Sequence, residues 1–361
     1  MPGAWKRLSS VSVADTAKSR SEEIDAAIAQ DLILKRSVKR VLILGGRNSG
    51  KSTFLKQATV FSPGFSEAER DEYKCTIHAD IIATMRMILD DEALLSDNDL
   101  RRFIQSFRRA TEESQTFSPQ ISTALRVLWT DARAQTAIRF SPKLRPDGSL
   151  LYFMDSLSRI SEDDYIPTDA DIVRSSRPPS LTVTDTPLQI QLTFPQYEYL
   201  LKTTLTCIHQ EIGLQRKWFS LFSDVEAIVF LVDLSNYDQT IPSADTDEPR
   251  NYIREAMSQF VAACTASYYR PTVMLIMNKM DIFTAKLSVS PLTTCFPEYR
   301  DENTPSAAAD YVIARFLSLL PPHLNSRAWC TNAIDMDQMH GVLQAMGEFI
   351  LRHSWYARGC V

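Results

Sequence analysis

The sequence predicts an α/β protein: a mostly parallel sheet carrying a glycine-rich loop, interrupted by an inserted all-helical domain. Three observations predict it. Residues 45 to 53 read Gly-Gly-Arg-Asn-Ser-Gly-Lys-Ser-Thr directly after the apolar run Val41-Leu42-Ile43-Leu44. A second apolar run, Val273-Met274-Leu275-Ile276-Met277, ends in Asn278-Lys279-Met280-Asp281. Between about residues 66 and 170 the pattern turns helical, with little strand signal.

Taken in order, residues 1 to about 18 are rich in Ser, Ala and charge and read as disordered. Ser19 and Glu22 form a capping box, after which Ile24, Ile28 and Leu32 recur at i+4 on an otherwise polar helix. That narrow stripe suits either packing on its own domain or a partner-binding arm. A strand is expected at 41–45 and a helix from near Lys51. Ile77–Leu89 and Asp99–Ala110 read as helices, and Pro63, Pro142, Pro146 and Pro178-Pro179 punctuate the chain. A weaker hairpin pair is expected near 188–194 and 202–208. Further strands are expected at 225–233, 273–277 and 327–331, and a last helix at 337–353. Strands alternating with helices imply parallel pairing. The expected division is a tail and helix at 1–36, the sheet domain at 37–65 and 172–361, and the helical insertion at 66–171.

The chain of 361 residues is 44% hydrophobic and 23% charged, as globular proteins are. A net charge of −5 argues against general nucleic-acid binding. No apolar stretch approaches the ~18 residues of a membrane span, and the start lacks the apolar core of a secretory signal. The 6 cysteines are scattered without C-x-x-C pairs, which suits a reducing compartment and argues against a zinc site. Cys207-Ile208-His209 reads as strand.

Residues 45–53 fit G-x-x-x-x-G-K-[ST]. In such a loop, backbone N–H groups and the helix N-terminus converge on phosphate oxygens. Lys51 can then reach the β- and γ-phosphates, and the Ser52 hydroxyl can ligate Mg²⁺. N-K-x-D is what a guanine pocket needs. The Asp281 carboxylate accepts from guanine N1–H and the 2-amino group, neither of which adenine offers. Asn278 can bridge base and loop, and the Lys279 stem can lie over the ring. A site built on paired hydrogen bonds rejects the wrong base, because its own polar groups would be left unpaired.

Longer strings sharpen this into a family. Tyr165-Ile166-Pro167-Thr168 with Asp171-Ile172-Val173-Arg174, then Lys217-Trp218, Leu234-Ser235-Asn236-Tyr237-Asp238-Gln239, and Ser290-Pro291-Leu292-Thr293 with Cys295-Phe296-Pro297-Glu298-Tyr299, resemble the α subunit of a heterotrimeric G protein over about residues 20–355. The resemblance implies a Ras-like GTPase domain with a helical insertion, GTP/GDP and Mg²⁺ as cofactors, and signalling between a seven-helix receptor and an effector with a βγ dimer as partner. It carries the nucleotide role over to Gly45, Gly46, Arg47, Asn48, Ser49, Gly50, Lys51, Ser52, Thr53, Ser149, Arg174, Asn278, Lys279, Asp281 and Thr331. Thr331 enters through Trp329-Cys330-Thr331-Asn332, set against the family's Thr-Cys-Ala-Thr, as a backbone contact to the guanine carbonyl.

The departures matter equally. Arg47 replaces a glycine that lies against the γ-phosphate, and Asn48 replaces a glutamate. The family's switch I Arg-x-x-Thr is matched by Arg177-Pro178-Pro179-Ser180 only with one inserted residue, giving Arg177 the catalytic role and Ser180 a metal role. Without the insertion, Ser176 and Pro179 take those places. Switch II, Asp-x-Gly-Gly-Gln in the family, reads Cys207-Ile208-His209-Gln210-Glu211, with Glu211 in the water-orienting place. Slow hydrolysis is therefore expected, or none, as in a nucleotide-binding scaffold. Leu214 and Gln215 replace charged residues beside Lys217-Trp218, so βγ contact is expected to be weakened. Pro2 leaves no N-myristoylation site and Cys360 does not fit C-a-a-X. A cytoplasmic protein, peripheral at the inner face of the plasma membrane through its partners, is expected.

Overall fold

The computed structural model describes residues 38–90, 98–113, 117–141, 143–144, 147–176, 183–194, 197–208, 225–241, 249–265 and 271–357. The Ile24, Ile28, Leu32 stripe, both switch I candidates Arg177 and Ser180, and Glu211, Leu214, Gln215, Lys217 and Trp218 lie outside the described residues.

Six strands form one sheet in the order β2-β3-β1-β4-β7-β8. They are β1 (Lys39–Gly45), β2 (Val183–Phe194), β3 (Tyr197–Ile208), β4 (Ala227–Asp233), β7 (Thr272–Asn278) and β8 (Ser326–Cys330). A separate short pair is made by β5 (Thr240–Ile241) and β6 (Arg250–Asn251). β1 runs parallel to β3 and β4, β4 to β7, and β7 to β8; the β2–β3 hairpin alone is antiparallel in this sheet. Every residue of β4 and β7 is buried. Strands covered on both faces need continuous apolar runs, which is what the sequence supplies there.

The two-residue period of a strand divides this core. Leu42, Leu44, Phe230 and Leu275 face one side, with α9 (Tyr252–Thr265), α10 (Met280–Leu287) and α11 (Pro305–Leu317) over them. Val41, Ile43, Leu231 and Ile276 face the other, under α1 (Lys51–Phe61) and α12 (Met336–Ala357). The expected strands are all present. The hairpin is longer than expected, because β2 and β3 pair continuously from Val183↔Ile208 to Phe194↔Tyr197.

A third core belongs to helices alone. α2 (Glu67–Leu89) presents Ile77, Ile81, Met85 and Ile88, a stripe at helical spacing. Against it pack α3 (Asn98–Glu113), α4 (Pro119–Thr130), α5 (Ala132–Arg139), α6 (Ser149–Asp155) and α7 (Leu157–Ile160). Ser66 and Glu69 close a capping box on α2. The chain returns to the sheet through α8 (Asp169–Arg174). The expected boundary at 171/172 falls inside this helix.

α8 is fastened by one carboxylate. Asp171 is fully buried and accepts from Arg159 Nη1 and Nη2 (2.7 and 2.9 Å), Tyr152 Oη (2.9 Å), Tyr165 Oη (3.0 Å) and the Thr168 N–H (2.8 Å). Burial alone would raise its pKa, but the Arg159, Thr168 and Tyr152 bonds outweigh it and hold it at about 2. A carboxylate depressed in the folded state stabilises above its unfolded pKa near 3.8 and loses that contribution as pH falls through about 2. Its weight is about 2 kcal/mol. Urea unfolding of Asp171→Asn is therefore expected to show a loss of at least about that size at pH 7, narrowing as pH approaches 2. A gap that stays constant with pH would mean that the charge is not the cause.

Candidate functional site

The phosphate loop leaves β1 at Gly45 and enters α1 at Lys51. Its shape depends on two glycines. Gly45 has φ +143° and Gly50 φ +98°, and a Cβ at either would overlap a neighbour: the Leu231 carbonyl for Gly45, the Asn278 amide for Gly50. Asn48, at φ 60°, takes the left-handed conformation that asparagine tolerates best after glycine. Gly50 as N-cap brings no side-chain oxygen to α1, so the helix opens towards the loop without a side-chain cap. Lys51 is buried, and its Nζ donates to the Gly45 and Gly46 carbonyls at 2.7 Å each. Arg47 and Asn48 form the exposed tip, and the Arg47 carbonyl accepts from Tyr252 Oη at 3.1 Å. Ser49 is fully buried, with its hydroxyl unpartnered. Ser52 and Thr53 are half-buried in the first turn of α1.

Asn278 joins the loop to the base side of the site. Its Nδ2 donates to the Ser49 carbonyl at 2.9 Å. Its Oδ1 accepts from the Ala333 N–H at 3.0 Å and the Thr331 hydroxyl at 3.3 Å. One buried amide thus holds three segments that are far apart in the chain. Next to it, Lys279 sits at φ 62° as the N-cap of α10, its ammonium paired with Asp233 at 2.7 Å. Asp281 stands exposed in the first turn of α10, its carboxylate open to a ligand.

Thr331 takes a different part from the one expected. Its N–H donates to the Met277 carbonyl at 2.7 Å and its carbonyl accepts from Met280 N–H at 3.1 Å. Sheet pairing therefore already uses the donor that the guanine carbonyl was to receive. The residue contributes through its hydroxyl, and the base-side loop starts two residues later than expected, with Ala333 as its Asn278-bound member.

Ser149, at the start of α6, and Arg174, at the end of α8, line one small pocket with Asp80. The Arg174 guanidinium lies 4.3 Å from the Tyr152 ring centroid. Two contacts tie this seam to the sheet domain. Lys56 of α1 donates to the Ser175 carbonyl (2.7 Å) and hydroxyl (2.9 Å). Asp80 of α2 accepts from the Ser176 N–H at 2.6 Å and from its hydroxyl. Sequence reasoning missed Asp80, Lys56, Tyr252, Ala333 and Asp233, because no motif marks them.

At the end of β3, Cys207 pairs with Ile43 and is fully buried. Burial pushes its thiol up to about 12, with Lys51 pulling weakly the other way. It is a neutral thiol at pH 7.

Comparison with known proteins places this arrangement. The model of the G-protein alpha subunit family matches residues 18–350. The chain belongs to the G-protein alpha subunit family. It is 32% identical over 353 residues to a guanine nucleotide-binding protein subunit alpha of Coprinellus congregatus, covering 95% of this chain and 96% of that one. A guanine nucleotide-binding protein alpha-1 subunit of Neurospora crassa is 31% identical over 348 residues, 93% of this chain and 95% of its own. Members of the family bind guanine nucleotides, typically with Mg²⁺, and are GTPases.

The residues present fit a nucleotide. The glycine cradle, the uncapped start of α1, the Lys51 ammonium and the unpartnered Ser49 hydroxyl supply donors for phosphate. For a metal ion the fit is thinner. Ser52 is the described candidate ligand and Ser180 lies outside the described residues. Among the described residues no group of three or more His, Cys, Asp or Glu is placed to hold a metal. No described helix is long and apolar enough to cross a membrane.

Proposed function

We propose that this family member binds GDP and GTP between the phosphate loop and the Asn278-Lys279-Met280-Asp281 turn, and hydrolyses GTP slowly. The observation that carries the reading is the Asn278 amide, bonded at once to Ser49, Thr331 and Ala333. Such a hub has a purpose where phosphate and base must be gripped at a fixed separation. Gly45 to Thr53 would hold the phosphates, with Lys51 as the countercharge and Ser52 as the metal ligand. Asp281 would read the guanine edge, Lys279 would cover the ring, and Ser149 and Arg174 would close the cleft from the helical side. Mg²⁺, where bound, would supply charge neutralisation on the phosphate oxygens.

The slow rate follows from Cys207. A buried neutral thiol stands at the end of β3, where the family carries the aspartate that holds the metal through water. Without an inserted residue, Ser176, clasped by Asp80, would take the place of the family's arginine. Arg177, Glu211 and Ser180 remain proposed for the transition-state, water-orienting and metal roles. As a transducer the protein would take a βγ dimer, a seven-helix receptor and an effector as partners, and sit peripherally at the inner face of the plasma membrane. The same Cys207 favours a second reading, a guanine-nucleotide scaffold that does not hydrolyse at all.

Nucleotide analysis of the purified protein, followed by single-turnover GTP hydrolysis, separates the readings. Bound GDP or GTP, with turnover at least about tenfold below that of an ordinary member, is the expected result, since a single missing transition-state contact of this kind can remove far more, about 10³–10⁵ for an arginine finger. Glu211→Gln should raise the rate. An ordinary rate would overturn the slow reading, zero turnover would favour the scaffold, and a protein that binds no guanine nucleotide would end both.

A further inference from the structure

We propose that Asp233 is a positioning residue of the guanine pocket, acting through Lys279; the inference rests on the guanine-nucleotide reading above. Asp233 is the last residue of β4 and stands opposite Asn278 in the parallel ladder with β7. Its side chain is 1% exposed. A carboxylate so deeply buried is tolerated only when donors surround it. Oδ1 accepts from the Ser235 N–H (3.0 Å) and hydroxyl (2.6 Å); Oδ2 accepts from Asn236 Nδ2 (3.0 Å) and Lys279 Nζ (2.7 Å). The turn at 234–236 needs only a neutral acceptor, which a serine or asparagine provides at many such caps. What requires a carboxylate is the lysine.

The ion pair fixes the far end of the Lys279 side chain. Its near end is already fixed, because Lys279 sits at φ 62° between Asn278 and the Met280 N–H that donates to the Thr331 carbonyl. Nor can the turn drift with the lysine. Lys286, near the other end of α10, donates to the Ser235 carbonyl at 3.0 Å. With both ends held, the four-carbon stem is set as one wall of the base slot, next to the open carboxylate of Asp281, before any nucleotide arrives. A free lysine would lose that rotamer freedom on binding and weaken it. The chemistry served is the flat face of a purine. Recognition of its edge stays with Asp281.

The test is the dissociation rate of a fluorescent GDP analogue from the full-length protein, with Asp233→Asn made in two backgrounds. With Lys279 present, Asp233→Asn is expected to speed dissociation about tenfold, because the freed lysine must then be ordered when nucleotide binds. In a Lys279→Ala background the same change should matter less than about twofold, because the residue it acts through is gone. Preference for guanine over xanthine should stay at the wild-type ratio in Asp233→Asn. An equal factor in both backgrounds would show that Asp233 serves only its own turn and would overturn the proposal, as would an unchanged rate in the first. Should Asp233→Asn not fold, Lys279→Gln breaks the same pair from the other side. It is expected to release GDP about tenfold faster, and an unchanged rate overturns the proposal there too. Wild-type protein with no measurable GDP binding would instead overturn the nucleotide reading itself.

Discussion

Lys51→Ala is expected to leave the protein folded and unable to retain nucleotide through gel filtration. The ammonium is buried within the loop and donates to two carbonyls of that loop, so it sits within reach of whatever the cradle holds. Against phosphate its bonds become charge-assisted, each worth about 1.5–3 kcal/mol. Losing two of them costs roughly 10²–10⁴ in affinity. The carbonyls of Gly45 and Gly46 lose a donor as well, but loop carbonyls beside a cleft can turn to water, so the cost to folding is smaller. Calorimetry with GDP, alongside thermal unfolding of the nucleotide-free protein, separates the two effects. Retention equal to wild type would mean that the lysine is a structural brace of the loop and that phosphate is held elsewhere.

Asp281→Asn should change which base the protein prefers. Asp281 is exposed in the first turn of α10, so no neighbour depends on its charge for burial, and the helix loses only the modest benefit of an acid near its N-terminus, about 0.3–1 kcal/mol. The effect on guanine is larger, since a donor pair on the base loses its acceptor: about 1–3 kcal/mol or more. Xanthine carries a carbonyl where guanine carries an amine, so an amide donor at 281 suits it. Titration of wild type and variant with GDP, XDP and ADP is expected to show wild type binding GDP alone. The variant should trade GDP affinity for XDP. Unchanged affinities for all three would place the base away from α10.

The parts of the fold that were legible in the sequence are those under the strongest physical demand. β1, β4 and β7 lie in the middle of the sheet and must be apolar throughout, so Val41–Leu44, Ala227–Val232 and Val273–Met277 announce themselves. The glycine turn is legible for a similar reason, because no other residue fits at Gly45 or Gly50. β8 is different. It is only partly buried, and its sequence Ser326-Arg327-Ala328-Trp329-Cys330 carries no alternation strong enough to fix where the strand stops. The two-residue error at Thr331 comes from setting Trp329-Cys330-Thr331-Asn332 against the family's Thr-Cys-Ala-Thr, where the weak strand signal gave nothing to correct the register. Asp233 was hidden for another reason. An aspartate after an apolar run reads as the start of a turn, which it also is, and nothing local reveals a lysine 46 positions away. The Asp80–Ser176 clasp spans 96 positions and is invisible on the same ground.

The Asn278 hub also bears on synthesis. Ser49 emerges from the ribosome long before Asn278, and Asn278 before Ala333, yet the Asn278 side chain bonds both of the others. Gln57, in the helix that follows the loop, adds a second tie, donating to the Ala333 carbonyl at 2.8 Å. A nascent chain can therefore form β1, the glycine turn and the whole helical unit and still lack the Asn278 hub. The hub closes only when β8 is laid down and the segment after it reaches back across the sheet. For this molecule, closing the hub waits on the segment around residue 333, and a message cut short before it yields a glycine loop without that tie.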